Sequence, residues 1–330
     1  MSSIIFWFKI LPFILLLTFT EFYSQPDKVL KGSNLPVDKT PGTFQAADPI
    51  PSFRYEFTAS AVNGKIYLVG GIDLPSVWFP TSLVEVYDPV KNLWSPGTNY
   101  PRRIHHTSSA TCEGKIYVVG GNGRRIFSTS DVYSYDPLKD VWEKKANLPQ
   151  ARGALASVCL NGKVYTVGGG LNKKALAELD EYDPKTDTWK IKTPMPTARE
   201  HLAAVAADGK IYVFGGYPDE RSNSLPNNEV YDPKTDKWET KAPIPYPVTG
   251  FSAVYHDGSI FLFGGEQGWA VSKEVLEYKI AENRWIRKAD LPVARYGFAA
   301  VVVNNSIHIL GGNDVLMGYK FLNDHYVFLP

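Results

Sequence analysis

Arg54, Arg103, Arg152, Arg199 and Arg295 recur at one place in a repeating pattern, with Val248 where a further arginine would stand. A guanidinium is a planar fork of donors that pairs bidentately with a carboxylate, so several converging on one opening would hold an acidic group. Arg102, Arg124, Arg125, Lys173, Lys174 and Arg221 fall in neighbouring loops and add to that charge. His106 and His201 follow closely behind two of the arginines, and Glu56 and Glu200 stand in the same stretches. Imidazole titrates near neutrality, which makes these four the candidates for proton transfer. A plainer reading of the arginines is structural, with Glu85, Asp180 and Glu229 as their partners; the histidines would then bond to backbone or hydroxyl groups nearby. His105, His256, His308 and His325 complete the six histidines, and no His-x-His or His-Glu-x-x-His spacing occurs, so no metal is expected. No cofactor is expected either, because "GGGLNKK" follows a strand with no helix N-terminus to receive a phosphate.

The elements that must position these residues are repeated. Glycine pairs occur at Gly70-Gly71, Gly120-Gly121, Gly168-Gly169, Gly215-Gly216, Gly264-Gly265 and Gly311-Gly312, in steps of 50, 48, 47, 49 and 47 residues. An alternating run precedes each, "GKIYLVGG" being the first, and each run is entered through NG, EG, DG or NN, mostly turns that fold a strand back as a hairpin. Next comes "EVYDP" or a relative, whose proline ends the strand. Trp94, Trp142, Trp189, Trp238 and Trp285 follow, each seven residues before a proline. Four strands per repeat, labelled A to D in chain order, make one blade, and the regular tryptophans belong to the packing between blades. Trp78 and Trp269 lie outside the pattern, in loops between strands B and C, and are candidate binding anchors.

Double glycine, Tyr-Asp-Pro and the spaced tryptophan resemble the kelch repeat, and the resemblance covers residues 43 to 330. It implies an all-β, six-bladed propeller over residues 42–330. The sixth repeat lacks its Trp, and Phe44 precedes Pro51 by the same seven residues, so residues 42 to 47 are expected to supply strand D of the last blade. The D-to-A and B-to-C loops then share one face, expected to be basic around its central opening. In a kelch-repeat adaptor, arginines at the start of strand A hold the carboxylates of an acidic peptide; the matching positions are Arg54, Arg152, Arg199 and Arg295. The leading expectation is therefore a monomeric binding module for an acidic protein segment or glycan. The alternative is a carbohydrate-active enzyme similar to the exported kelch-type N-acetylneuraminate epimerases or mutarotases, with arginines on a sugar carboxylate. A copper radical oxidase of the kelch class would need a seventh blade and a further domain.

Thirty-five basic and 34 acidic residues leave a net charge of +1, which removes the electrostatic case for nucleic acid. Cys112 and Cys159 are the two cysteines. They stand one place out of register in equivalent strands, hence on opposite faces of their sheets, and are expected to be small buried apolar residues, with a disulfide between them as the lesser alternative. Residues 1–20 read as a signal peptide or an uncleaved anchor, because the apolar run of Ile10 to Thr20 has the length of a secretory core segment. Residues 21–41 read as a linker. A secreted, periplasmic or cell-surface location is expected, with membrane contact only through that anchor.

Overall fold

Runs such as Ile66-Tyr67-Leu68-Val69 are buried on both faces, which is why they are nearly continuously apolar instead of strictly alternating. In the computed structural model, which describes residues 32–74, 79–124, 127–219, 223–268, 270–315 and 320–330, each run is strand B of a four-stranded antiparallel sheet. The first blade comprises Thr58–Val62, Lys65–Val69, Val84–Asp88 and Leu93–Pro96. The second to fifth repeat it with strands A at Ser108–Cys112, Ala156–Leu160, Ala203–Ala207 and Ser252–His256. The sixth joins Ala299–Val303, Ser306–Asn313 and Phe321–Leu329 to the N-terminal strand Thr43–Ala46. Strands A of successive blades touch around a closed circle, the first against the sixth. The fold is a six-bladed β-propeller closed by its N-terminal strand, with Phe44 opposite Phe328 in the register and their rings 4.7 Å apart.

Six apolar cores fill the six interfaces, one between each pair of neighbouring blades. The tryptophans pin the outer ends: Trp94 Nε1 donates to the Asp48 carbonyl, Trp142 to Thr98, Trp189 to Ala146, Trp238 to Thr193 and Trp285 to Ala242. The glycine pairs pin the inner ends. Gly71 N–H donates to the Ile104 carbonyl of the next blade at 2.8 Å, and a Cβ on Gly70 would stand 2.6 Å from that same oxygen. Only glycine, also at positive φ, allows the approach.

Two expectations change. Cys112 and Cys159 form a disulfide, with Cα atoms 5.4 Å apart, that ties the second blade to the third. Opposite faces do not keep them apart, because neighbouring blades stack face to face and residues on opposite faces of their own sheets are the ones that meet. The expected linker is also partly docked. Ser33 hydrogen-bonds the Glu274 carboxylate, Val37 bridges to Arg287, and Lys288 Nζ contacts Asp38 at 3.0 Å, so residues 33–41 lie along the fifth blade. Residues 1–31 are outside the described residues, and no described helix is long and apolar enough to cross a membrane.

Candidate functional site

The chain enters each strand A through a short connection whose geometry recurs in every blade. Its central residue is Glu56, His106, Ala154, His201, Gly250 and Gly297 in turn, and all six sit at φ between 50° and 61°. Each of these residues donates its N–H to the carbonyl of its counterpart in the preceding blade: His106 to Glu56, Ala154 to His106, His201 to Ala154, Gly250 to His201, Gly297 to Gly250, and Glu56 back to Gly297, at 2.7 to 3.3 Å. The result is a closed ring of six backbone hydrogen bonds around the mouth of the central channel. Left-handed backbone costs a non-glycine residue on the order of 1 kcal/mol, yet three of the six positions carry a carboxylate or an imidazole there. These side chains surround a cavity of about 90 Å³.

His106 Nε2 stands 3.4 Å from Glu56 Oε2, and the rings of His106 and His201 meet edge to face at 4.9 Å. Glu200 Oε1 lies 3.9 Å from His201 Nδ1, and Tyr217 stacks on the His201 ring at 5.0 Å. His105 pairs through Nδ1 with Nδ1 of His106, and burial, with the neighbouring His106, pulls its pKa down to about 3. The four acid–base candidates His106, His201, Glu56 and Glu200 are thus brought together at one place, from three blades.

The arginines are not there. Arg54, Arg152, Arg199 and Arg295 are each 0% exposed inside their blades, which corrects the expectation of a basic rim around the opening. Arg54 pairs with Glu85, Arg152 with Asp180 at 2.7 Å, Arg199 with Glu229 at 2.6 Å, and Arg295 with Asp324 at 3.5 Å while lying over the Tyr326 ring. Burial draws all four guanidinium pKa values below the ordinary range against the pull of the partner carboxylates, and burial likewise raises Asp180. The two remaining blades carry the decisive comparison. In the second, Ile104 fills the arginine position and Tyr133 the carboxylate position; in the fifth, Val248 faces Leu276. Where the arginine is lost the carboxylate is lost with it; in the sixth blade, where Arg295 is kept, Tyr326 takes the carboxylate position and Asp324 supplies the charge from two residues away. The same alignment moves Arg103 one place out of the series, onto the surface, because Ile104 is the true counterpart.

What the loop face does expose is an aromatic and cationic rim on the first two blades. Phe53, Leu74, Phe79 and Phe127 are 42%, 38%, 39% and 72% exposed. Leu74 N–H bonds to the Phe53 carbonyl, and the Arg124 guanidinium lies 4.7 Å from the Phe79 ring centroid. Arg103 is exposed on the second blade, and Lys173 and Lys174 are exposed on the third. Arg102 reaches Asp131, which also pairs with Lys144. Trp78, Trp269, Arg125 and Arg221 lie outside the described residues. Phe79 and Phe127 went unnoticed in the sequence, where the only signal was an aromatic residue in a B-to-C loop.

A family model described as the attractin/LZTR1 β-propeller matches residues 81–322, and a kelch-motif model matches residues 54–99. The chain belongs to the attractin/LZTR1 β-propeller family. Among curated relatives, this attractin/LZTR1-type propeller is 30% identical over 107 residues to human kelch repeat and BTB domain-containing protein 12, a match covering 29% of the chain and 17% of that protein. It is 33% identical over 93 residues to an F-box/kelch-repeat protein of Arabidopsis thaliana, covering 28% of the chain and 22% of the relative. The chain spans less than a quarter of the length of these relatives. The solved structure of YjhT has the same fold, with a TM-score of 0.74 at 20% identity over 85% of this chain and 96% of that one.

Proposed function

We propose that this propeller is an exported interaction module that recognises an acidic protein segment on its loop face. The observation that carries the reading is the set of exposed Phe53, Leu74, Phe79 and Phe127 on the first two blades, with Arg124 over the Phe79 ring and Arg103 exposed on the second blade. Exposed aromatics beside arginines are the composition of a binding hot spot, and a propeller suits protein interaction because it offers such a rim on a rigid scaffold. Export is supported by the apolar N-terminal run and by the Cys112–Cys159 disulfide, a bond typical of oxidising compartments.

A second reading, proton transfer on an acidic sugar such as N-acetylneuraminate, is favoured by one observation, the convergence of Glu56, His106 and His201 on the channel cavity. One experiment separates the two. The purified chain is titrated with a fluorescent peptide rich in Asp and Glu, and separately with N-acetylneuraminate while anomer exchange is followed by NMR. The first reading expects peptide binding that weakens with salt and falls at least tenfold in Arg124→Glu or Phe127→Ser. Peptide binding indifferent to both substitutions would sink it. Accelerated anomer exchange abolished by His201→Ala would establish the second.

A further inference from the structure

The channel mouth has a property that stands apart from the peptide reading. We propose that Glu56, His106 and His201 form a binding site for a divalent first-row transition ion, with zinc as the probe. Each residue offers one donor atom, and the three donors all lie within 4.8 Å of one another. A tetrahedral ion with bonds of about 2.1 Å sets its ligand atoms about 3.4 Å apart. The His106 Nε2 to Glu56 Oε2 separation is already 3.4 Å, so only His201 has to swing inward. Two imidazoles and one carboxylate suit zinc and its neighbours rather than magnesium or calcium, which prefer oxygen donors throughout.

The surrounding hydrogen bonds set the right tautomer. His105 faces His106 through Nδ1 and also hydrogen-bonds the backbone of Gly123, which leaves its Nε2 as the donor to that carbonyl. With its Nδ1 accepting, His106 donates from Nδ1, and Nε2 is the His106 nitrogen that faces Glu56 and is free to ligate once deprotonated. A divalent cation seated between that nitrogen and the carboxylate would take a ligand from each, in place of the proton that an imidazolium–carboxylate pair holds there. Glu200 Oε1 lies 3.9 Å from His201 Nδ1, beyond hydrogen-bond distance as it stands and close enough that a small rotation would let it back a metal-bound imidazole. The backbone ring fixes the three Cα positions, and Gly297 makes room for the carboxylate, since a Cβ there would lie 2.9 Å from Glu56 Oε1. Ala154, Gly250 and Gly297 at the other ring positions leave the remaining coordination position open to the channel mouth, where water or an incoming carboxylate would bind.

The test uses the full chain stripped by dialysis against EDTA, titrated with Zn²⁺ by calorimetry and with Co²⁺ by visible absorption. The expected result is one equivalent of ion, Co²⁺ bands of low-symmetry coordination, and at least tenfold weaker binding in His106→Ala and in His201→Ala. Ala154 occupies the same ring position at φ 53°, so the alanine variants match a residue the fold already accepts there. His256→Ala, on the opposite face, should bind as the parent does. Should an alanine variant fail to fold, proton NMR of the Co²⁺ form decides, through shifted N–H resonances from two imidazoles. Absence of stoichiometric binding, affinity unchanged in both channel variants, or loss in His256→Ala would each overturn the proposal.

Discussion

Arg199 is sealed from solvent with its guanidinium on Glu229 and on the carbonyls of Thr197 and Val213. Removing one partner of such a pair leaves a buried charge uncompensated, at a cost of about 3–5 kcal/mol, whereas replacing both with apolar groups is often neutral. Arg199→Ala should therefore lower the unfolding free energy by about that amount. The double variant Arg199→Val with Glu229→Leu, which copies Val248 and Leu276 of the fifth blade, should recover most of it. Denaturant unfolding of the two variants checks this, and additive losses would argue against a structural pair. Glu85, Asp180 and Glu229 were legible as partners from the sequence alone. Which of the two readings held was not, because it depends on how deeply strand C covers the guanidinium, and that is a property of the folded blade.

At the scale of the element, the seam between first and last blades holds a histidine pair. His308 Nδ1 lies 2.7 Å from His325 Nε2, and His325 reaches the Asp48 carbonyl just beyond the closing strand. Burial, aided for His308 by its neighbour, lowers both pKa values to about 4. In the unfolded chain each takes up a proton near 6.5, so between about 6.5 and about 4 the unfolded state binds more protons than the folded one. The stability is full above that window and declines as the pH falls through it. His308 occupies the place of Tyr67, Tyr117, Tyr165, Tyr212 and Phe261 in the other blades, so His308→Phe fits the repeat. Unfolding titrations at pH 7.5, 6 and 5 should show the decline in the parent and a shallower one in His308→Phe; parallel curves would refute the assignment.

For the whole molecule, closure rests on Thr43–Ala46 pairing with Phe321–Leu329. A chain truncated before Pro49 loses that strand and bares the outer edge of Phe321–Leu329, so it should become protease-sensitive and self-associate, and a peptide of residues 42–48 should restore the compact form. Limited proteolysis and size-exclusion chromatography read the outcome; a resistant monomer would show the strand dispensable. The ring of blades was legible because each repeat writes the same contacts in the same residues, down to Phe44 in the place of a tryptophan. The site was legible only as separate names. Glu56, His106 and His201 come from three repeats, and their meeting at one point follows from the curvature of the ring, which no local spacing encodes. The disulfide escaped for the same reason, since Cys112 and Cys159 face each other across two blades rather than within one.

The pairing of the first strand with the last also orders events in time. A ribosome makes Thr43–Ala46 long before Phe321–Leu329, and until the later strand emerges the earlier one has no partner. Five blades can assemble during synthesis, but the circle cannot shut until its end is made. A chain that stays open until Phe321–Leu329 is made remains an unsealed arc through most of its synthesis, the state that the proposed export would need for threading.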